Sequence, residues 1–188
     1  MIKFFFFKEN FVEKIIFYLI TLLPFALVSG PFLADLSITI ITLLFIYISY
    51  QKKLYFYYQN IFSKLFFLFF IILIITSVFS VDPLISLKKT IVYFRFWIFA
   101  LAVWYIFRIE KTLSKYLIIS FTFIFIFLII DGYIQFFFNE NIFGWEKQGS
   151  RLSSLFRDEY ILGSYLSRLL PIYFALLVYT EFSKKIYK

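Results

Sequence analysis

From Leu65 to Val81 the chain runs seventeen residues without a charged side chain. As a helix, such a run is about 25 Å long, close to the thickness of a bilayer's hydrocarbon core. Comparable apolar runs recur along the sequence, and a soluble fold of 188 residues has too little interior to hide them. With 63% hydrophobic and 26% aromatic residues and a mean hydropathy of +0.90, the chain reads as an all-α polytopic membrane protein. About six transmembrane helices are expected, with a short helical loop before the last, in a single transmembrane domain over residues 1–188.

The spans follow from the apolar runs and their breakers. The first is predicted over residues 15–30, with Pro24 inside it, and ends at Ser29-Gly30-Pro31. A tight turn around Asp35 then leads to a second span over 36–50. Both are short, so a tilted or partly re-entrant hairpin is an alternative. A basic loop from Gln51 to Lys64 carries the aromatic cluster Tyr55, Phe56, Tyr57 and Tyr58, which suits the headgroup layer. The third span covers 65–81, and Asp82-Pro83 reads as an N-cap followed by a first helical position. The fourth runs from there to about Phe107, the fifth over 116–138 and the sixth over 161–179.

Charge orients this array. Placing the N-terminus in the cytoplasm puts Lys3, Lys8, Lys14, Lys52, Lys53, Lys64, Arg108, Lys111, Lys115, Lys184, Lys185 and Lys188 on the cytoplasmic side, twelve of the nineteen Lys and Arg. Both termini are then cytoplasmic. The other seven, Lys88, Lys89, Arg95, Lys147, Arg151, Arg157 and Arg168, run against the bias. The formal charge of +8 is the mark of basic loops facing anionic lipid, and no nucleic-acid partner is expected. No small-residue cleavage site follows the first apolar run, which reads as a retained span rather than a signal peptide. With no cysteine and no histidine, disulfides, Cys or His metal sites and a histidine base are excluded, and no cofactor or metal is expected.

The polar interruption between Asp131 and Pro171 is where chemistry could reside. Asp131 lies near the far end of the fifth span, and Gln135 shares its helix face one turn on. An ionisable group there is costly and faces the bundle interior. It serves either as a sugar or cation contact or as a polar pair that locks helix packing. Arg151 and Arg157 lie in the following loop beside Asp158 and Glu159, and Arg168 sits about 10 Å into the sixth span. Guanidinium forks suit phosphate oxygens, so these residues with Lys88, Lys89 and Arg95 would attract an anionic lipid headgroup at one membrane face. The bland alternatives are charges paired within a solvated loop, and an Arg168 that snorkels to the interface or pairs with Asp131. Gly163 and Ser167 form a small-residue face that permits close helix packing.

Four stretches together resemble the O-antigen ligase and O-antigen polymerase superfamily. They are Ser80-Val81-Asp82-Pro83 with Ser86-Leu87 and Arg95; Asp131-Gly132-Tyr133-Ile134-Gln135 with Asn141-Ile142-Phe143-Gly144; Arg151-Leu152-Ser153-Ser154-Leu155-Phe156; and Asp158-Glu159-Tyr160-Ile161-Leu162-Gly163-Ser164-Tyr165-Leu166 on to Pro171. Ser154 and Arg157 stand where members of the family often carry glycine. The resemblance covers what corresponds to the N-terminal half of family members, so a longer family fold is expected. The family's other half holds a large outer loop, where ligases have a proposed catalytic histidine.

The resemblance implies glycan transfer from an undecaprenyl-diphosphate carrier at the periplasmic face of the bacterial inner membrane, in lipopolysaccharide biosynthesis. The acceptor would be lipid A–core for a ligase, or another lipid-linked glycan for a polymerase. It points to Arg151 for the diphosphate, with Arg95, Arg157 and Arg168 in support, and to Asp131, Gln135 and Glu159 as acceptor or packing residues. The competing reading is a non-catalytic protein that binds, flips or helps assemble the lipid-linked glycan.

Overall fold

A computed structural model describes residues 11–147, 149, 151–156 and 161–186. It contains six helices, each long and apolar enough to cross a membrane: α1 (Phe11–Ser29), α2 (Pro31–Gln51), α3 (Ile61–Val78), α4 (Pro83–Ile109), α5 (Leu113–Phe138) and α6 (Leu162–Ile186). Two short 3-10 turns, Tyr55–Tyr58 and Ser154–Phe156, complete the regular structure of the described residues, the second standing before the last span as expected. Among the described residues there is no sheet; Glu140 and Glu146 make an isolated antiparallel bridge. The chain is thus an all-α, multi-pass membrane protein.

The helix ends differ from the expectation in an instructive way. With 19 and 21 residues, α1 and α2 are roughly 28 and 31 Å long, enough for a full crossing rather than a short hairpin. Each gains length at its start, where charged residues enter the helix. Glu13 and Lys14 are helical in α1, and Asp35 lies inside α2 rather than in a turn. The connector is Gly30 alone, at φ +126°, with Pro31 opening the next helix as proline does best. Asp82 does occupy the N-cap position of α4 ahead of Pro83, but its side chain makes no capping hydrogen bond.

The chain divides into two compact units. The first comprises Met1–Ile20 and Asp35–Glu110. The buried Ile38, Ile41, Phe45 and Ile48 of α2 recur at helical spacing, as do Trp97, Leu101 and Tyr105 of α4. Between α3 and α4 the packing is aromatic, with Trp97 against Phe66, Phe67 and Phe94, its ring centroids 4.9–5.9 Å from theirs. The indole Nε1 donates to Ser63 Oγ at 3.0 Å, and Ser77 and Thr90 hydroxyls meet at 2.6 Å, so the buried polar atoms of this interface are satisfied.

Two polar clusters tie α1, α2 and α4 within this unit. Glu13 of α1 is buried and accepts from Lys52 Nζ at 2.8 Å and from the Tyr105 hydroxyl. The start of α1 therefore meets the ends of α2 and α4, as alternating spans require. Further along, Thr42 Oγ1 donates to the Arg95 carbonyl at 3.3 Å, while the Arg95 guanidinium donates to Thr39 Oγ1 at 3.2 Å and pairs with Asp35 at 2.8 Å. Helical side chains lean toward their helix's N-terminus. Arg95 thus passes Thr42, Thr39 and Asp35 in falling order, so α2 and α4 run in the same direction.

The second unit comprises Thr21–Ala34 and Lys111–Lys188. Its axis is a stripe on α5, Leu117, Phe121, Ile124, Leu128, Asp131 and Gln135, buried at alternating spacings of four and three. Tyr173 of α6 packs edge-on against Phe125 and bonds the Thr122 hydroxyl at 2.8 Å. Ser120 Oγ donates to the Thr21 carbonyl at 2.6 Å and the Tyr165 hydroxyl to the Pro24 carbonyl at 3.1 Å, so side chains of α5 and α6 tether the proline-bearing part of α1. Close approach between α5 and α6 comes from Gly132, where an added Cβ would stand 3.0 Å from Leu162 Cδ2. The small face of Gly163 and Ser167 does not pack here, since nothing lies within 4 Å of a Cβ built on Gly163.

Candidate functional site

The polar end of the α5 stripe is where the loop between α5 and α6 folds back. Asn139 ends α5 in the left-handed conformation, at φ +67°. The chain then turns through Asn141-Ile142-Phe143-Gly144, closed by a hydrogen bond from Gly144 N to the Asn141 carbonyl at 2.9 Å, with Gly144 at φ +78°. Asn141 Oδ1 accepts from the amides of Phe143 at 3.0 Å and Trp145 at 2.9 Å, which fixes the turn from inside.

Asp131 and Gln135 hold this loop. Both are fully buried. Asp131 Oδ1 accepts from the Ile142 amide at 2.9 Å, and Oδ2 from the Ser154 hydroxyl at 2.6 Å and Asn141 Nδ2 at 3.3 Å. Gln135 Oε1 accepts from the amides of Ser153 and Ser154, both at 2.9 Å, while its Nε2 donates to the Trp145 carbonyl at 3.1 Å and Ser153 Oγ at 3.0 Å. Asn141 Nδ2 also donates to the Ser154 carbonyl at 3.0 Å. A buried carboxylate is tolerable when donors fill its lone pairs, and three do so here. In this geometry Asp131 and Gln135 clamp the backbone of the returning loop.

Ser154 sits at φ +48°, a conformation glycine adopts freely and other residues at a cost of about 1–2 kcal/mol. Its three hydrogen bonds, to Asp131, Gln135 and Asn141, hold it there. The position at which the resemblance expects glycine is one whose backbone favours glycine. Asn141, Ser153 and Ser154 are the members of this network that the sequence quoted only as motif letters. Their roles depend on partners 10 to 23 residues away.

Beside the Ser154–Phe156 turn lies an apolar groove of about 580 Å³, walled by Leu27, Val28, Ala34, Leu155, Phe156 and Tyr165. It shares Leu27, Ile161 and Tyr165 with a second cavity of about 250 Å³, whose wall includes Ser164 and Arg168. Phe156 and Tyr165 rings pack at 5.1 Å across the loop–helix contact, so the clamp on Ser153 and Ser154, from which the turn to Phe156 continues, also shapes the groove. Arg168 therefore belongs to this cavity wall, and Asp131 takes its hydrogen bonds from neutral donors instead.

The remaining sequence candidates are distributed between the units. Arg151 is exposed, two residues before the clamped Ser153. Arg157 and Glu159 lie outside the described residues. Lys88 and Lys89 are exposed in the first turns of α4, and Arg95 is in the ion pair with Asp35. Asp35 and Glu13 are the acidic partners sequence reading passed over, one taken for a turn residue and the other hidden beside Lys14. Among the described residues no group of His, Cys, Asp or Glu could hold a metal. Compared with protein-family models, curated proteins and solved structures, the chain matches none.

Proposed function

We propose that the second unit binds the lipid-proximal part of an undecaprenyl-diphosphate-linked glycan at the periplasmic face of a bacterial inner membrane. In this reading the chain works as an O-antigen ligase- or polymerase-like protein in lipopolysaccharide biosynthesis. The observation that carries the reading is the groove beside the clamped loop: apolar walls for the first isoprene units, the Ser164 hydroxyl and the Arg168 guanidinium in one continuous surface. Arg168 leans back toward the start of α6 and so presents its charge near the membrane interface. With Arg151 in the same loop system, it would neutralise a diphosphate, the charge that grows when the glycan leaves. The acceptor would be lipid A–core or a second lipid-linked glycan.

A second reading is favoured by the same wall. Among the described residues lining the groove Arg168 is the one ionisable group besides Tyr165, with no carboxylate to take an acceptor proton. In this second reading the unit holds the lipid diphosphate without reacting it, and a binding, flipping or assembly role needs nothing more.

Two measurements separate these outcomes. Arg151→Ala and Arg168→Ala are expected to lower the affinity of the purified protein in nanodiscs for undecaprenyl diphosphate at least tenfold and to abolish surface glycan display at unchanged protein level. Unaltered binding and display refute the site. Wild-type binding without glycan transfer to an added acceptor selects the second reading.

A further inference from the structure

The first unit has a groove of its own, unrelated to the one above. It occupies about 360 Å³ and is lined by Asn60, Ile61, Phe62, Ala100, Leu101 and Trp104, where the start of α3 meets the last third of α4. Its walls are hydrocarbon and indole, and Asn60 at its rim is the N-cap of α3, accepting from the Ser63 amide at 2.8 Å.

Two cations, Arg108 and Lys64, adjoin this rim. Arg108 follows Trp104 by one turn, on the same face of α4. Its guanidinium lies 5.9 Å from the Tyr57 ring and 6.0 Å from that of Phe56, and Tyr57 packs on Trp104 at 5.0 Å. One aromatic contact thus links the cation to the groove. Lys64 is exposed one turn into α3, and its side chain leans back toward Asn60. Lys53 is exposed in the adjoining loop, and the nearby Lys52 is already paired with Glu13. Among the described residues at this end of the unit, the cations Lys14, Lys53, Lys64 and Arg108 outnumber the carboxylates besides Glu13, of which Glu110 is the one.

We propose that this groove is a binding site for an anionic phospholipid, one acyl chain lying against Trp104, Leu101 and Phe62 and the phosphate resting between Lys64 and Arg108. The aromatic and basic residues stand at the depth where the acyl region of a bilayer gives way to headgroups. Only an amphiphile with a negative head matches both surfaces, and each cation near an acidic headgroup favours it about fivefold.

Brominated lipids quench tryptophan fluorescence on contact, and Trp104 is one of three tryptophans in the chain. The full-length protein is reconstituted in phosphatidylcholine vesicles containing an equal mole fraction of either dibrominated phosphatidylglycerol or dibrominated phosphatidylcholine. The Trp104 contribution is the difference between wild type and Trp104→Phe, a conservative change at an exposed position. Phosphatidylglycerol is expected to associate with the Trp104 site at least fivefold more strongly than phosphatidylcholine. Lys64→Gln and Arg108→Gln should each lower that preference about fivefold while leaving phosphatidylcholine quenching unchanged. Equal quenching by the two lipids, or a preference that survives the Lys64→Gln, Arg108→Gln double variant, overturns the proposal and leaves ordinary annular lipid at this surface.

Discussion

Replacing Asp131 by alanine removes the acceptor for the Ile142 amide at 2.9 Å, the Ser154 hydroxyl at 2.6 Å and one of the two bonds from Asn141 Nδ2. Asn141 keeps the Ser154 carbonyl, so two donors are left with nothing to bond. At about 1–3 kcal/mol for each unsatisfied buried donor, and with some relief as the hydroxyl rotates, the clamped loop should lose about 3 kcal/mol. That is about a 150-fold rise in the population with the loop released. Lys147 and Arg151 are trypsin sites within it, and cleavage that is slow relative to reclosing reports the open population directly. Asp131→Asn keeps one oxygen for Ile142 and sets its amide against a hydroxyl able to turn and accept, so about a fivefold increase is expected. Cleavage of Asp131→Ala at the wild-type rate would refute the clamp. Loss of glycan display in Asp131→Asn with the loop still closed would favour the acceptor-contact reading.

Ser154→Gly relieves left-handed strain but forfeits the bond to Asp131, whereas Ser154→Ala forfeits the bond and keeps the strain; loop protection should fall from wild type to glycine to alanine, alanine the worse by about 1 kcal/mol. Arg95→Met strands Asp35 without its cation and should cost about 2 kcal/mol of thermal stability in detergent, between the values for exposed and buried pairs. The Arg95→Met, Asp35→Asn double variant should recover most of it, and simple additivity would refute the coupling. Because the chain has no cysteine, Val81→Cys and Lys53→Cys can be labelled cleanly, and they should react from opposite sides of the membrane. Reaction from one side would contradict a crossing by α3.

The number and order of the helices were legible because a hydrocarbon solvent demands long uncharged runs, and the run from Leu65 to Val81 satisfies that demand without tertiary help. Helix ends were less legible. Glu13 reads as a loop charge until Lys52 and Tyr105, 39 and 92 positions away, surround it. Asp35 likewise looks like a turn former until Arg95 neutralises it inside a helix. Asp131 and Gln135 stood out in the sequence because polarity is expensive at that depth, but whether they face a ligand or the chain's own backbone depends on how the loop returns. Close packing was sought at Gly163 and Ser167, and the structure has it at Gly132 because Leu162 enters from the opposing helix.

The one-residue link at Gly30 has a consequence for biogenesis. A spacer of a single residue offers no hydrophilic loop that could wait on the far side while the next helix is synthesised. At mean hydropathies of 2.0 and 2.1, α1 and α2 each favour lipid, and with Gly30 as their whole connector they are expected to enter the membrane together as a helical hairpin. The ionisable Glu13, Lys14 and Asp35 would then travel with two helices' worth of apolar surface, and the uptake of α1 is expected to wait on the synthesis of α2.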